Sequence, residues 1–390
     1  MSISSQTSAT GSTRVLFSCS GIGILNRGIE SFFREAFDGL RHTPGLECRL
    51  LKGAGKNEAD ETAVWNIRRT AWLAEKMGRL AGRNGYVFEQ WTTFPSVVWQ
   101  IRKFRPHVVY FSDSNIGYLL YWFRRQIGVD YRLLFSNGGP VKPPFSRVDF
   151  VHQVSPVYLQ DALAAGEPPE RHALVPYGIG VPPPPVLDPA AQQRARAELG
   201  LPADRPVVLS VGWISRVHKR MDYVIEEVAR MPEPRPFLQL IGAIDATSAE
   251  VIALAESRLG KGNVSVRSVP YAQVSTYYRA ADCFVLASLN EGFGRVYVEA
   301  LMHGLPVIAH RNSVTEFVVG PAGRLEDLSQ SGTLAAALAQ TLAQPLTADA
   351  MRHRWESVKT RFDWAVLAPA YRRMFEAARA IPAREKGGGK

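Results

Sequence analysis

The chain carries two glutamates, Glu291 and Glu299, in the one stretch where residue types and spacing together point to chemistry. Around them run an apolar segment at 283–287, the loop Asn290-Glu291-Gly292-Phe293-Gly294, and a stretch from Arg295 that contains Glu299. His303-Gly304-Leu305-Pro306 and a second apolar run at 307–309 follow. Apolar runs bounded by turn residues read as buried strands, so the order is strand, glycine-rich loop, helix, glycine stop, strand. Gly292 and Gly294 let backbone N–H groups come close to a ligand, and the next helix presents its positive end to the same place. A diphosphate is what such a loop and helix end favour. Glu299 alone has a plainer reading as a carboxylate in the early turns of a helix. Its conjunction with Glu291, the loop glycines, Gly304 and Pro306 gives it chemical weight.

Positioning that loop requires a parallel sheet, and the rest of the sequence supplies the pattern. Strands are expected at 14–19, 107–111, 133–135, 151–154 and 173–176, with a glycine-containing loop at 20–28 and a helix at 29–40. A run of four prolines at 182–185, followed by Pro189, reads as a stiff linker. Beyond it strands recur at 207–211, 237–241, 264–266, 283–287 and 307–309, with a helix at 222–229 and a mostly helical tail over 350–380. Strand–helix alternation of this kind makes an α/β protein of two successive parallel-sheet halves. The expected boundaries are 1–180, a proline-rich linker and domain entry at 181–206, 207–365, and a C-terminal helix and tail at 366–390. Residues 1–13 read as a disordered lead-in and 386–390 as a disordered end. Ligands of open parallel sheets sit at the carboxyl ends of strands, so the expected site is the cleft between the halves.

The stretch from Ala281 to Glu316 resembles the E-x7-E region of the family 4 retaining glycosyltransferases. That resemblance implies the GT-B architecture, two Rossmann-like domains with parallel sheets facing a central cleft. It places Glu291 beside the transferred sugar and Glu299 on the nucleotide ribose, where a carboxylate can accept from both hydroxyls of a vicinal diol. The amides near Phe293 and Gly294 would face sugar or phosphate. The loop from Val211-Gly212-Trp213 to Lys219 resembles the family's strand-end loop that gives an Arg and a Lys to the diphosphate. Lys219 falls at the Lys position, Trp213 stands where Arg is usual, and Arg216 in the same loop is the substitute. Arg216, His218, Lys219 and Arg220 also read as a solvated basic turn. Residues 175–179 resemble the family's hinge segment, and 21–30, centred on Gly28, its acceptor-side loop. Asn312-Ser313 replace a Gly-Gly pair before Glu316, which also reads as a helix cap. The family's N-domain His is absent from Phe135-Ser136-Asn137-Gly138-Gly139-Pro140. Asn137 is the acceptor-side candidate there, and His152 is a stand-in or a core residue.

The implied reaction is hexose transfer from a nucleotide-diphosphate sugar to a hydroxyl acceptor, with retention, in polysaccharide or glycolipid synthesis. Cations would offset charge on the leaving phosphate, and no protein nucleophile is required. No DxD pair is present, Phe111-Ser112-Asp113-Ser114 offering one carboxylate, so no metal or other cofactor is expected. A non-catalytic binding module and a nucleotide-sugar epimerase are the alternatives.

Whole-chain properties narrow the field. With 390 residues, 46% of them hydrophobic, the chain suits two domains. Its net charge of +10 suits phosphate-bearing partners. No helix-turn-helix, zinc or RNA-recognition pattern supports a nucleic acid, and Gly21-x-Gly23 lacks the third glycine of a dinucleotide fingerprint. Cys19, Cys48 and Cys283 are scattered, which fits a reduced cytoplasmic compartment. A helix expected over 61–83 places Trp65, Arg69, Trp72, Lys76, Arg79 and Arg83 on one face. That face suits either peripheral contact with an anionic membrane at its inner surface or a solvated exterior. Residues 118–125 read as a core helix ending in cations.

Overall fold

Apolar strands and amphipathic helices alternate through the chain, and the strands assemble into two parallel sheets. The computed structural model describes residues 11–384 except Asn26, Thr70, Ala81, Arg83 and Pro140, and not the side chains of Glu75 and Arg79. Residues 1–10 of the expected lead-in, and the end at 386–390, lie outside the described residues. The chain divides into two units. The first takes residues up to 154, 158–180 and those from 364 on; the second takes 155–157 and 181–363.

In the first unit the strands are β1 (Thr13–Cys19), β2 (Leu46–Lys52), β3 (Glu61–Ala63), β4 (Val108–Phe111), β5 (Arg132–Asn137), β6 (Phe150–Gln153) and β7 (His172–Leu174). They lie in the order β3-β2-β1-β4-β5-β6-β7, and every pairing is parallel. Side chains alternate between faces with period two. From one face Phe17 and Tyr110 meet Phe37, Phe33 and Phe375, on helices Gly28–Leu40 and Trp364–Ala380. From the other, Leu16, Val109, Phe111 and Leu133 join Val97 and Ile101 of helix Gly85–Phe104. A parallel sheet covered on both faces must be apolar on both, and β1 is.

Helix Trp364–Ala380 is part of this unit's core. The Tyr371 hydroxyl donates to the Pro176 carbonyl at 3.0 Å. A Cβ on either Gly39 or Gly178 would come within 2.6 Å of the Trp364 ring, so two glycines make room for one indole.

Residues 61–83 do not form one helix. Residues 61–63 instead pair with β2, Leu50 opposite Glu61, and the helix starts at Trp72 and ends at Leu80. The reason lies in Glu61, which is buried and accepts from Lys52 Nζ at 2.6 Å and from both terminal nitrogens of Arg34 at 2.6 Å. Arg69 faces inward as well, bonding Glu89 with its backbone N–H at 2.7 Å and its guanidinium at 2.5 Å. Arg83 and the Arg79 side chain lie outside the described residues. The stretch expected as one core helix over 118–125 is a helix Ser114–Trp122 followed by a short turn Arg124–Ile127. Leu120 and Tyr121 are buried there, while Tyr118, Trp122 and Phe123 are exposed.

In the second unit the strands are β8 (Val207–Val211), β9 (Phe237–Ile241), β10 (Val264–Arg267), β11 (Cys283–Leu286), β12 (Val307–His310) and β13 (Arg324–Glu326), in the order β10-β9-β8-β11-β12-β13. Ahead of β8 the proline run leads into helix Pro189–Leu199, with Pro189 in its first turn and the Asp188 carboxylate accepting from Ala191 N–H at 3.0 Å. No helix among the described residues is long and apolar enough to cross a membrane.

Candidate functional site

In the second sheet the strand order reverses between β8 and β11, which pair with Cys283 opposite Val208. Their carboxyl ends flank a topological switch point, the place where open α/β sheets bind ligands. The two sequence-selected loops, 212–220 and 287–294, leave the sheet there.

Both loops are tightly built. Gly212 N–H donates to Ile241 O at 2.9 Å and Ile214 N–H to Ala243 O at 3.0 Å, which ties the first loop to the end of β9. A Cβ on Gly242 would lie 1.6 Å from the Gly212 carbonyl oxygen, so that approach needs a glycine. Arg220 closes the loop, donating to the Leu328 carbonyl at 2.7 Å and the Ala287 carbonyl at 3.3 Å. In the second loop Phe293 is buried edge-on against Phe362, with ring centroids 5.7 Å apart. Gly294, at φ +80°, is the N-cap of helix Arg295–Met302. A side chain at Gly294 would be strained and would strike the Tyr297 ring at 2.5 Å. Asn312 caps the next helix and donates to the Leu289 carbonyl at 2.9 Å, holding the loop from the β12 side.

Lys219 and Glu291 meet directly as an ion pair, Nζ to Oε1, with both side chains largely sheltered. Gly212 sits behind this lysine, since a Cβ there would approach the Lys219 methylenes at 3.1–3.2 Å. Glu299, the fifth residue of helix Arg295–Met302, is 5% exposed. It accepts from Tyr271 at 3.0 Å and from Tyr278 at 3.1 Å. A cationic side chain, a carboxylate, a glycine-capped helix N-terminus and a buried carboxylate thus occupy one end of one sheet. Together they can bind a diphosphate ester and accept hydrogen bonds from sugar hydroxyls.

Other sequence-selected residues lie elsewhere. Arg216 is exposed and, among the described residues, pairs with Asp222 at 3.5 Å and Glu250 at 3.3 Å. Trp213 is half-exposed and stacks on the His218 ring at 5.9 Å. Glu316 is exposed in the first turn of helix Ser313–Val318, whose cap is Asn312 with Thr315. In the first unit Asn137 is buried, and its amide bonds Val141 and Gln153, the latter at 2.9 Å. It organises its own loop. Gly28 opens helix Gly28–Leu40 in open space. His152 is a core residue: its ring bonds Tyr110 Oη and the Val175 carbonyl, each at 2.7 Å, and burial lowers its pKa to about 4.

Sequence reasoning missed the tyrosines on Glu299, although Tyr271 and Tyr278 are two helical turns apart and so share a face. The corresponding switch point of the first sheet lies between β1 and β4, where the loop at 21–30 selected from the sequence follows β1; the bonding of Asp113 there was not foreseen. There Asp113 is buried, accepting from Ser20 N–H at 2.7 Å and the Tyr86 hydroxyl at 2.9 Å, and burial raises its pKa. Buried Glu30 pairs with Arg27 close by in sequence, at 2.5 Å.

Residues 191–360 match the model of the family described as "Glycosyl transferases group 1". A D-inositol 3-phosphate glycosyltransferase of Xylanimonas cellulosilytica is 30% identical over 379 residues, covering 89% of this chain and 81% of that protein. The chain belongs to the group 1 glycosyltransferases. A second relative with the same description, from Thermobispora bispora, is 34% identical over 220 residues. That match spans 52% of this chain and about half the length of the relative, 49%. Among solved structures, Anabaena HepE in complex with UDP-glucose superposes with a TM-score of 0.71 over 94% of this chain and 100% of that chain, at 17% identity. The likeness extends to fold: two Rossmann-like domains, each a parallel sheet wound with helices, as in other GT-B glycosyltransferases.

Proposed function

We propose that this protein is a retaining family 4 glycosyltransferase that moves a hexose-type sugar from a nucleotide-diphosphate sugar to a hydroxyl acceptor. The observation that carries the reading is the Lys219–Glu291 pair beside the Gly294-capped helix at the β8–β11 switch point. The C1–O bond to the phosphate breaks with its electron pair going to the nucleoside diphosphate. The acceptor oxygen bonds to C1 on the same face, and its proton passes to the departing phosphate. Lys219 and the helix amides offset the charge that grows on that phosphate, so the reading needs no metal. Glu291 stands beside the sugar, Glu299 holds the ribose, and Gly212, Gly292, Phe293 and Gly294 shape the donor loop. Arg216 reaches the phosphates by leaving Asp222 and Glu250, and Gly28 and Asn137 lie on the acceptor side.

UDP-glucose is bound by HepE, and the curated relatives are named for inositol 3-phosphate. A nucleotide-linked hexose and a polar hydroxyl acceptor are the classes to test first. The test is nucleoside-diphosphate release from UDP-, GDP-, ADP- and dTDP-sugars, with and without EDTA. We expect release from one nucleotide class, insensitive to EDTA, falling on the order of 100-fold or more in Lys219→Ala and Glu291→Ala. Unchanged release in both variants would reject the site. Absence of nucleotide binding by calorimetry would favour a non-catalytic module, and an isomerised donor without release would favour an epimerase.

We also propose that the first unit touches an anionic membrane from the cytoplasmic side. Trp72 is 71% exposed with Lys76 over its ring at 5.4 Å, and Trp65, Leu73, Met77 and Leu80 are exposed nearby in sequence. Interleaved aromatic, apolar and basic side chains suit a lipid interface.

A further inference from the structure

Glu299 is held by two phenols, with the buried Arg295 guanidinium 4.0 Å from Oε1 and an imidazole behind the phenols. Tyr278 donates to Oε2 at 3.1 Å, with the Val296 carbonyl a longer second acceptor at 3.4 Å, and Tyr271 donates to Oε1 at 3.0 Å, both from helix Tyr271–Ala280. The Tyr278 ring is buried and stacks on His303, with centroids 5.1 Å apart and planes 21° apart. His303 Nδ1 lies 2.7 Å from the Glu299 backbone carbonyl and Nε2 lies 2.8 Å from Ser275 Oγ. A carbonyl only accepts, so Nδ1 carries the proton and Nε2 accepts from the serine hydroxyl. Burial lowers the His303 pKa and so keeps the ring neutral in that tautomer. Burial and the Glu299 charge push the Tyr278 phenol well up, so it stays a donor.

One phenol on each oxygen fixes the carboxylate plane and presents both oxygens together. Each carboxylate oxygen accepts more than one hydrogen bond, so a phenol on each is compatible with a hydroxyl on each. We infer that Tyr278 and Tyr271 are positioning residues that set Glu299 for the two adjacent hydroxyls of a ribose, and thereby make the site prefer ribonucleotides over 2′-deoxyribonucleotides. The inference rests on the proposed ribose role of Glu299. Tyr278 is the fixed member, braced by His303. Tyr271, 42% exposed at the start of its helix, is the outer one.

The experiment is calorimetric titration with UDP, GDP and ADP and their 2′-deoxy counterparts, on wild type, Tyr278→Phe, Tyr271→Phe and Glu299→Ala. For the nucleotide that binds, each tyrosine variant should lose about tenfold in ribonucleotide affinity, the scale of one hydrogen bond to a charged acceptor. Its 2′-deoxynucleotide affinity should stay within about twofold, so the ratio between them shrinks. Equal losses for both forms would reduce the tyrosines to structural support and overturn the inference. If Glu299→Ala abolishes the ratio while both tyrosine variants keep it, the ribose role stands and the positioning role fails. If Glu299→Ala leaves the ratio intact, or no nucleotide binds, the ribose role itself fails and the inference with it. Tyr271→Phe, at a half-exposed position, keeps the test decisive if Tyr278→Phe does not fold.

Discussion

His152 and Glu299 show how one buried polar group can serve structure and another a site. His152 is enclosed on every side, with both ring nitrogens satisfied inside the first unit. Its pKa is pushed down to about 4, so the folded chain resists protonating it while the unfolded chain does not. The unfolded state therefore takes up the proton first as pH falls. Stability contributed by the neutral ring is complete above pH ~6.5 and drains away down to about pH 4, on the order of 3 kcal/mol in all. Thermal melts across that window should show wild type losing stability faster than His152→Gln; parallel loss in both would show that another group governs the slope. Glu299 is nearly as sheltered, but besides Arg295 of its own helix its partners include two phenols of a neighbouring helix, one of them reaching the surface.

Helix ends and strand ends decide where these residues point, and at this scale much was legible. The apolar strands β1, β4, β8, β9, β11 and β12 stand out as runs between turn residues, and Gly294 before a helix marks the loop. What escaped reading includes β2 and the long helix Gly85–Phe104, and also short or polar elements whose stability comes from partners distant in sequence. β3 exists because Glu61 finds Arg34 and Lys52, and periodicity around residues 61–83 carries no trace of that. Arg69 reads as a surface cation until Glu89 is folded against it. Two glycines that look alike in sequence also differ in the structure. Gly294→Ala should cost about 1–3 kcal/mol, from the positive φ and the Tyr297 contact, and weaken nucleotide binding with it. Gly28→Ala, in open space at a helix start, should change stability by less than about 1 kcal/mol. Denaturant melts of the two variants check both, and equal losses would mean the Gly294 conformation is not the constraint.

For the molecule as a whole, the proposed membrane contact can be separated from the proposed chemistry. Trp65 and Trp72 lie in the first unit and the Lys219–Glu291 pair in the second. Trp65→Ser combined with Trp72→Ser should lower sedimentation with vesicles containing phosphatidylserine by about tenfold or more, given the apolar area each indole can bury. Donor hydrolysis in solution should be unchanged. Unaltered sedimentation would mean that these tryptophans do not face lipid.

The helix Trp364–Ala380 carries a consequence for the order in which this molecule is made. Trp364, Tyr371 and Phe375 fill the core of a sheet whose strands end at Leu174. On the ribosome that sheet emerges early and must wait, with Phe17, Phe32 and Tyr110 lacking their contacts to Trp364 and Phe375, while the second unit is translated. The unit synthesised second is thus the one able to complete its fold first. In the interval the apolar patch that this helix covers in the finished fold stays open to solvent.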